Sequence, residues 1–247
     1  MSLGIFRRIA KRVLPEAALL PLKKIHYANV LRHSTGSEEP ELAVLSGLIW
    51  RGDYILDIGA NFGRYTYHFS KLAGPTGQVI SIEPIGGTFE ILKSNVAKFA
   101  LENVVCVNQA VSDVNGFVTM QVPESGSGGK NFYEAHITAV GTGVTPCIRL
   151  DDAYSDLPRL DFIKCDVEGH ELNVLNGATG SIAKFRPLLL IEIGGDPDDA
   201  ATNAGKAFAL LQNLGYAPYI PDDGHLRLRG EGELATNYFF LSYARSA

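Results

Sequence analysis

The fold of this 247-residue chain is decided by one stretch, Tyr54-Ile55-Leu56-Asp57-Ile58-Gly59-Ala60-Asn61-Phe62-Gly63. The apolar run predicts a buried strand, the glycines predict a turn, and the following residues predict a helix over about 64–72. A second apolar run, Gln78–Ile82, ends at Glu83, 20 residues after Gly63. This order is half of a nucleotide-binding α/β fold, and an acid at that distance is typical of a carboxylate that binds a ribose diol.

The turn also indicates which nucleotide binds. Gly59 and Gly63 are spaced G-x-x-x-G, so the G-x-G-x-x-G pyrophosphate pattern is missing, and the chain has no P-loop pattern. Asp57 lies just before the glycines, where its carboxylate would repel a pyrophosphate and attract a cation. These features favour S-adenosylmethionine, which carries a sulfonium and an ammonium group. The alternative is that Asp57 only caps a helix.

Further tracts carry a family resemblance. Asp57–Gly63 looks like motif I of class I S-adenosylmethionine-dependent methyltransferases, and Glu83-Pro84 looks like their second acidic motif. More specific is the tract Ile163-Lys164-Cys165-Asp166-Val167-Glu168-Gly169-His170-Glu171, which is similar to the I-K-x-D-V-E-G-x-E signature of FkbM-type methyltransferases. Two further segments resemble that family, namely Arg149–Asp152, where Arg replaces Thr, and Pro187–Glu192.

The resemblance implies a set of cofactor-binding residues. Its members cluster after the first four predicted strands and would contact the methionine, ribose and adenine parts of S-adenosylmethionine. They are Asp57, Gly59, Asn61, Gly63, Glu83, Ala110, Val111 and Asp166. The contact of Ala110 and Val111 with adenine is implied by the resemblance, whereas Glu83 is also indicated by its spacing.

Methylation of a hydroxyl needs a proton acceptor, and three residues are candidates. Asp166, Glu168 and His170 follow the fourth predicted strand. His170 has the most suitable ordinary pKa, near 6.5, although the family pattern leaves its position variable. The two carboxyls would need a raised pKa, which crowding of like charges can supply. Lys164 shares a strand face with Asp166 and could tune it, bind substrate or form a plain salt bridge.

The strand tips also bear on metal binding. Four acids end predicted strands and should meet at one rim of the sheet, namely Asp57, Glu83, Asp166 and Glu192. Oxygen ligands of this kind could hold Mg²⁺, but no ligand spacing distinguishes such a site, so we predict no metal.

The regular alternation of strands and helices predicts an α/β fold. We expect a Rossmann-like, seven-stranded, mostly parallel sheet with helices on both faces, as in class I methyltransferases. Residues 1–36 are predicted to form a basic helical extension and residues 37–247 the methyltransferase domain, with a β-hairpin and loop insertion over about 117–150. Within it, the glycine-rich stretch 124–136 is interpreted either as a substrate-facing lid or as a surface loop.

The composition and charge of the chain indicate which binding partners and which cellular compartment to expect. The net charge of −5 does not predict nucleic-acid binding. Residues 1–33 carry a local charge of +6, so the remainder carries −11. This basic segment is interpreted as a helix packed on the domain or, alternatively, as a weak membrane-surface contact. Three cysteines without C-x-x-C spacing indicate reduced thiols in a cytoplasmic, possibly membrane-associated protein. Oligomeric state is left open.

We therefore predict an S-adenosylmethionine-dependent O-methyltransferase of FkbM type. The resemblance implies an acceptor that is a small molecule, a sugar or a glycan. Two alternatives stay open, namely a non-catalytic module that binds S-adenosylmethionine and an NAD-dependent oxidoreductase.

Overall fold

The computed structural model describes residues 16–121, 136–138 and 143–243, and it shows an α/β fold with two sheets. Within those ranges no helix is both long enough and apolar enough to cross a membrane. The lid predicted at 124–136 lies almost wholly outside them. The boundary predicted between residues 36 and 37 stays a prediction.

The central sheet has eight strands in the order β11-β10-β12-β9-β8-β1-β2-β3. Five strands are parallel, namely β1 (Tyr54–Ile58), β2 (Gln78–Ile82), β3 (Val104–Val107), β8 (Phe162–Cys165) and β9 (Leu188–Glu192). Three antiparallel strands extend it, namely β10 (Tyr216–Asp222), β11 (His225–Leu228) and β12 (Asn237–Ser242). The mostly parallel α/β fold is confirmed, but the prediction of seven strands was one too few.

Strand order reverses between β1 and β8, and this reversal locates the site. β1 pairs with β2 on one side and with β8 on the other, so Asp57 lies opposite both Ser81 and Lys164. In open α/β sheets, ligands bind beyond the carboxyl ends of the strands where the order reverses. The motif I turn and the D-V-E-G tract therefore meet at the same edge.

A second sheet is inserted in the chain between β3 and β8. It has the order β4-β7-β5-β6 and comprises β4 (Ala110–Val111), β5 (Gly116–Gln121), β6 (His136–Thr138) and β7 (Gly143–Ile148). β5 pairs antiparallel with both β6 and β7, while β4 pairs parallel with β7. Strands β5, β6 and β7 fall at about the predicted insertion of 117–150, whereas β4 precedes it and forms the parallel edge of the sheet.

The remaining elements are helices that cover the central sheet. They are α1 (Glu16–Arg32), α2 (Pro40–Val44), α3 (Arg64–Ala73), α4 (Gly86–Lys98), α5 (Leu150–Ala153), α6 (Glu171–Asn176), α7 (Thr179–Phe185) and α8 (Asn203–Asn213), with a 3₁₀ turn at Leu45–Gly47. Apolar side chains of β1, β2, β8 and β9 are almost all buried beneath them, because a parallel sheet is covered on both faces.

Helix α1 packs on the domain through one face. Ala28 and Leu31 are buried, the Tyr27 ring stacks on Phe62 at 4.5 Å between centroids, and Lys24 forms an ion pair with Glu90. This agrees with the interpretation of a packed helix for the part of the basic segment that is described. Residues 1–15, which carry most of its charge, lie outside the described ranges.

Candidate active site

A cavity of about 220 Å³ opens at the carboxyl ends of β1, β2 and β8. The second sheet contributes to its wall, so both sheets enclose it. Its lining comprises Ile58, Gly59, Asn61, Ile82, Glu83, Pro84, Ile85, Gln109, Ala110, Val111, Met120, Ile137, Asp166, Val167, Glu168 and Glu192. Six of the eight predicted cofactor-binding residues lie in this set, and Asp57 and Gly63 do not.

Glu83 is the most firmly held polar group in the cavity wall. It follows β2, is 5% exposed, and accepts hydrogen bonds from the backbone N–H groups of Asn61 at 2.9 Å and Ile85 at 2.8 Å. Burial raises its pKa to about 7, although these two hydrogen bonds oppose the shift. Each carboxylate oxygen keeps further acceptor capacity, so the group is fixed in position and still able to bind a ligand.

The motif I turn needs glycine at its first position. Gly59 has φ +74°, and a Cβ there would lie 1.7 Å from the carbonyl oxygen of Asp166. Only a residue without a side chain lets the ends of β1 and β8 approach so closely. Asn61 also has a positive φ of 52°, and its Oδ1 accepts from the N–H of Phe62. The turn thereby directs the Asn61 N–H at Glu83.

Gly63 packs against the helix layer, where it begins α3. Its φ is +93°, and a Cβ would come within 2.8 Å of the Leu92 side chain. The prediction that the cofactor contacts Gly63 is therefore not supported by its place, because the residue faces α4 and not the cavity.

Asp57 lies one layer beneath the cavity. It is fully buried, and its Oδ2 accepts from the hydroxyl of Thr66 at 2.5 Å, which in turn contacts the Ser81 hydroxyl at 2.9 Å. Burial raises its pKa, and Lys164 opposes that effect. Among the described residues its Oδ1 has no hydrogen-bond partner. We expected Asp57 at the cofactor itself, but its side chain turns toward α3 instead.

Lys164 neutralises this acidic region from within the sheet. Its Nζ is 2.8 Å from Asp166 Oδ2 and 3.4 Å from the Gly59 carbonyl, and it lies 4.9 Å from the centroid of the Tyr65 ring. Burial favours a lower pKa, but Asp166 and Asp57 outweigh burial and raise the pKa of Lys164. Lys164 is thus a permanent cation paired with Asp166, which agrees with both the tuning and the salt-bridge interpretations.

Three carboxylates meet at the mouth of the cavity, namely Asp166, Glu168 and Glu192. Glu168 is exposed and has φ +54°, a left-handed conformation that is unusual for a residue with a side chain. Glu192, half-buried at the end of β9, has its pKa raised to about 7 by burial and then by Asp166 and Glu168. Glu192 was among the predicted strand tips but not among the predicted proton acceptors.

The rest of the D-V-E-G tract shapes the turn. Glu171 is buried and accepts from the N–H of Gly169 at 2.9 Å, so it fixes the loop that carries Glu168. His170 lies outside the cavity lining, and its Nε2 is 2.7 Å from the Ser112 hydroxyl. Burial lowers the pKa of His170, and Asp113 opposes this. The structure therefore brings Asp166 and Glu168 to the cavity and leaves His170 beside it.

Several lining residues were missed from the sequence. Met120 and Ile137 come from β5 and β6, and Pro84, Ile85 and Gln109 flank strand ends. Gln109 belongs to the stretch Gln109–Asp113 that the resemblance implies for adenine contact, and Met120 lies in the predicted hairpin, although neither was among the predicted site residues. Ile137 had no signal in the sequence. Among the described residues no group of three or more His, Cys, Asp or Glu side chains is arranged to hold a metal ion.

The site fits S-adenosylmethionine in its donor set. Glu83 is a buried carboxylate fixed for a diol, the glycine at 59 leaves backbone exposed in the lining, and the mouth is acidic where a cation would lie. Ala110, Val111, Met120 and Ile137 supply an apolar wall suited to a base.

Known proteins resemble this chain in sequence and in fold. The chain is 27% identical over 158 residues to hexuronic acid methyltransferase AglP of Haloferax volcanii, an alignment that covers 63% of this chain and 62% of that protein. The chain thus spans under two thirds of that relative's length. The crystal structure of the methyltransferase FkbM from Methylobacillus flagellatus KT matches 82% of this chain and 50% of that one, with a TM-score of 0.51 and 18% identity, which shows a shared fold.

The decisive match is to a protein family. The profile of the methyltransferase FkbM domain covers residues 57–218, which is well over half of the chain and includes every residue of the cavity lining. Membership supports S-adenosylmethionine as the cofactor and sets aside the nicotinamide alternative. The chain belongs to the FkbM methyltransferase family.

Proposed function

We propose that this protein transfers a methyl group from S-adenosylmethionine to a hydroxyl oxygen of a sugar. The observation that carries the proposal is the cavity itself. Its wall holds Glu83 in a fixed position, and its mouth carries the carboxylates of Asp166, Glu168 and Glu192. The name of the relative from Haloferax volcanii supports a saccharide acceptor. When bound, the cofactor supplies an electrophilic methyl group on a positively charged sulfur.

The cofactor would be held by three parts of the wall. Glu83 would accept hydrogen bonds from both ribose hydroxyls, because each of its oxygens is already oriented by one backbone N–H. Ala110 and Val111 would contact the adenine. Gly59 and Asn61 would shape the methionine end.

The acceptor hydroxyl must lose its proton as its oxygen is methylated. A proton acceptor works best when its pKa is near the working pH, and Glu192, with a pKa of about 7, meets that condition at the cavity mouth. Asp166 is a weaker candidate because one of its oxygens is already held in an ion pair by Lys164 Nζ at 2.8 Å. We therefore propose Glu192 as the base, with Glu168 as the second candidate.

An acceptor screen tests this function. Purified protein is incubated with methyl-labelled S-adenosylmethionine and a panel of glycosides that contains glucuronides, neutral hexosides and amino-sugar glycosides. We expect label in a base-stable ether and turnover that falls at least about 100-fold in Glu192→Gln. The matched control is Glu102→Gln, an exposed acid outside the cavity.

Two outcomes would contradict the proposal. Tight S-adenosylhomocysteine binding without turnover on any glycoside would favour the non-catalytic module. Label on nitrogen of the amino sugars alone would replace oxygen with nitrogen as the acceptor atom.

A further inference from the structure

His170 and Ser112 connect two walls of the cavity. Ser112 directly follows Val111 on the wall made by β4, and His170 follows the turn that carries Val167 and Glu168 on the opposite wall. Their side chains meet at 2.7 Å between Nε2 and Oγ, across 58 residues of sequence. No other part of the proposed mechanism uses this contact.

The proton positions in this contact follow from its neighbours. The Ser112 hydroxyl has one proton and donates it to Asp113 Oδ1 at 2.9 Å, because an ionised carboxylate can only accept. The hydroxyl must then accept from His170, so Nε2 carries a proton. Nε2 is therefore protonated in the neutral ring as well as in the charged ring, and it cannot act as a base while the contact holds. The neutral ring keeps a lone pair on Nδ1, but His170 lies outside the cavity lining.

The contact belongs to a larger connection with α6. Asp113 Oδ2 accepts from the Asn173 side chain at 3.2 Å, and a Cβ on Gly177 would lie 2.1 Å from the Ser112 carbonyl oxygen. The middle of α6 and the glycine that follows the helix thus lie against the Ser112-Asp113 segment. Of these residues, His170 is the one next to the turn that carries Val167 and Glu168 in the cavity lining.

We infer that His170 is a positioning residue that holds the β4 wall against the 166–168 turn by donating a hydrogen bond to Ser112. This inference rests on the proposed cofactor site for its effect on binding. It assigns no chemical step to His170, in contrast to our prediction from the sequence. Loss of the bond would let the two walls separate and would weaken cofactor binding.

Substitution of His170 by glutamine or by leucine distinguishes a positioning role from a role as proton acceptor. Gln carries an N–H donor at about the distance of His Nε2, so His170→Gln should keep the affinity for S-adenosylhomocysteine within about twofold. His170→Leu and Ser112→Ala should each weaken binding about five- to tenfold, as expected for one hydrogen bond. The double variant of His170→Leu and Ser112→Ala should bind no more weakly than Ser112→Ala alone, because Ser112→Ala already removes the bond to His170 together with the bond to Asp113.

A second histidine supplies the matched control. His68 Nε2 is 2.8 Å from the Ser34 hydroxyl, His68 is also half-buried, and neither residue lines the cavity. His68→Leu should leave the affinity for S-adenosylhomocysteine unchanged. Titration calorimetry on all five variants and on the wild type gives these affinities.

Hydrogen exchange tests the connection without any cofactor. Amides of residues 110–113 and 167–170 should exchange faster in His170→Leu and at the wild-type rate in His170→Gln. Unchanged exchange in His170→Leu would overturn the inference, whatever the cofactor affinity is. If instead exchange changes as expected but the wild type binds no S-adenosylhomocysteine, the proposed function fails and the connection stands.

Measurements of methyl-transfer activity distinguish a positioning role of His170 from a role as the base. If His170 accepts the proton, His170→Gln abolishes turnover while cofactor affinity is kept, and Ser112→Ala has little effect on either. That pattern would also overturn the inference. A positioning role instead predicts that His170→Gln retains turnover with the wild-type pH profile.

Discussion

Replacing Glu83 with glutamine tests the cofactor site most directly. The change keeps the shape of the side chain but leaves one oxygen where there were two, and those two oxygens accept from Ile85 at 2.8 Å and Asn61 at 2.9 Å. One backbone N–H would then face an amide NH₂, which cannot accept. The ribose hydroxyls would also lose a charged acceptor.

The expected loss follows from these hydrogen bonds. Removing a charged hydrogen-bond acceptor costs about 1.5–3 kcal/mol, which corresponds to a rise in Kd of about 10- to 150-fold. Titration calorimetry with S-adenosylhomocysteine measures this rise. Glu90→Gln is the control, because Glu90 forms its ion pairs with Lys24 and Lys93 on the helix surface, outside the cavity.

The pH dependence of S-adenosylhomocysteine binding tests the role of Glu83 independently. The pKa of Glu83 is raised to about 7, so the carboxyl is protonated below that pH and ionised above it. If binding needs the ionised form, the wild-type Kd should rise roughly tenfold between about pH 8 and pH 6, and the Glu83→Gln Kd should not. An unchanged Kd in Glu83→Gln at pH 8, with a normal melting curve, would refute the assignment of Glu83 to the ribose.

Three further predictions concern stability. Glu192→Gln should raise the melting temperature at pH 8 but not at about pH 5. The pKa of Glu192 is about 7 in the folded protein and lower in the unfolded chain, so the carboxylate reduces stability as the pH rises through that interval. Equal shifts of the melting temperature at both pH values would contradict this. Gly59→Ala should lower the free energy of unfolding by at least about 3 kcal/mol in urea titrations, whereas Gly86→Ala, with no atom near the added Cβ, should not. Lys164→Met should cost up to about 3 kcal/mol by removing the buried cation that pairs with the partly exposed carboxylate of Asp166, and adding Asp166→Asn should recover part of that loss. A double variant less stable than Lys164→Met would show that their ion pair is not the cause.

The sequence predicted those parts of the fold in which local patterns agree with the tertiary structure. The parallel strands β1, β2, β8 and β9 were found because they are short apolar runs bounded by turn residues. β10 was missed because Pro218 and Pro221 lie within it, and proline argues against a strand that has neighbours on both sides. Pro218 still contributes its carbonyl, which accepts from the N–H of Arg229.

A second difference concerns Val104–Val111, which the sequence predicts as one uninterrupted strand, the third of the sheet. The structure divides it after Val107, because Asn108 donates from its side chain to the carbonyls of Glu83 and Pro84. The chain then leaves the central sheet, and Ala110 and Val111 pair with β7. The polar pair at positions 108 and 109 marks the break, but its partner lies too far away in sequence to be inferred.

The site residues were predictable from the sequence where local patterns determine their place. Glu83, Asn61 and Asp166 reach the cavity because strand ends and turn spacing determine their place. His170 does not, because its ring is held by Ser112, and such a contact follows from tertiary packing and not from ordinary pKa values. Glu192 reached its raised pKa through burial and neighbouring charges that the chain assembles only on folding.

The pairing of β1 with β8 has a consequence for how this protein folds. Ile55 lies opposite Phe162, so the two central strands are separated by more than a hundred residues that include the whole second sheet. Contacts between such distant residues form slowly, because a long loop must close before they are made. A chain still being synthesised would display Glu83 early but would lack the wall that carries Asp166.

The cavity is therefore completed only when the strand containing Lys164 docks beside β1. A ligand that needs both walls binds the assembled sheet and not its first half, so it stabilises that late docking by mass action. During biosynthesis, the supply of cofactor would then influence how much of the newly made chain remains folded.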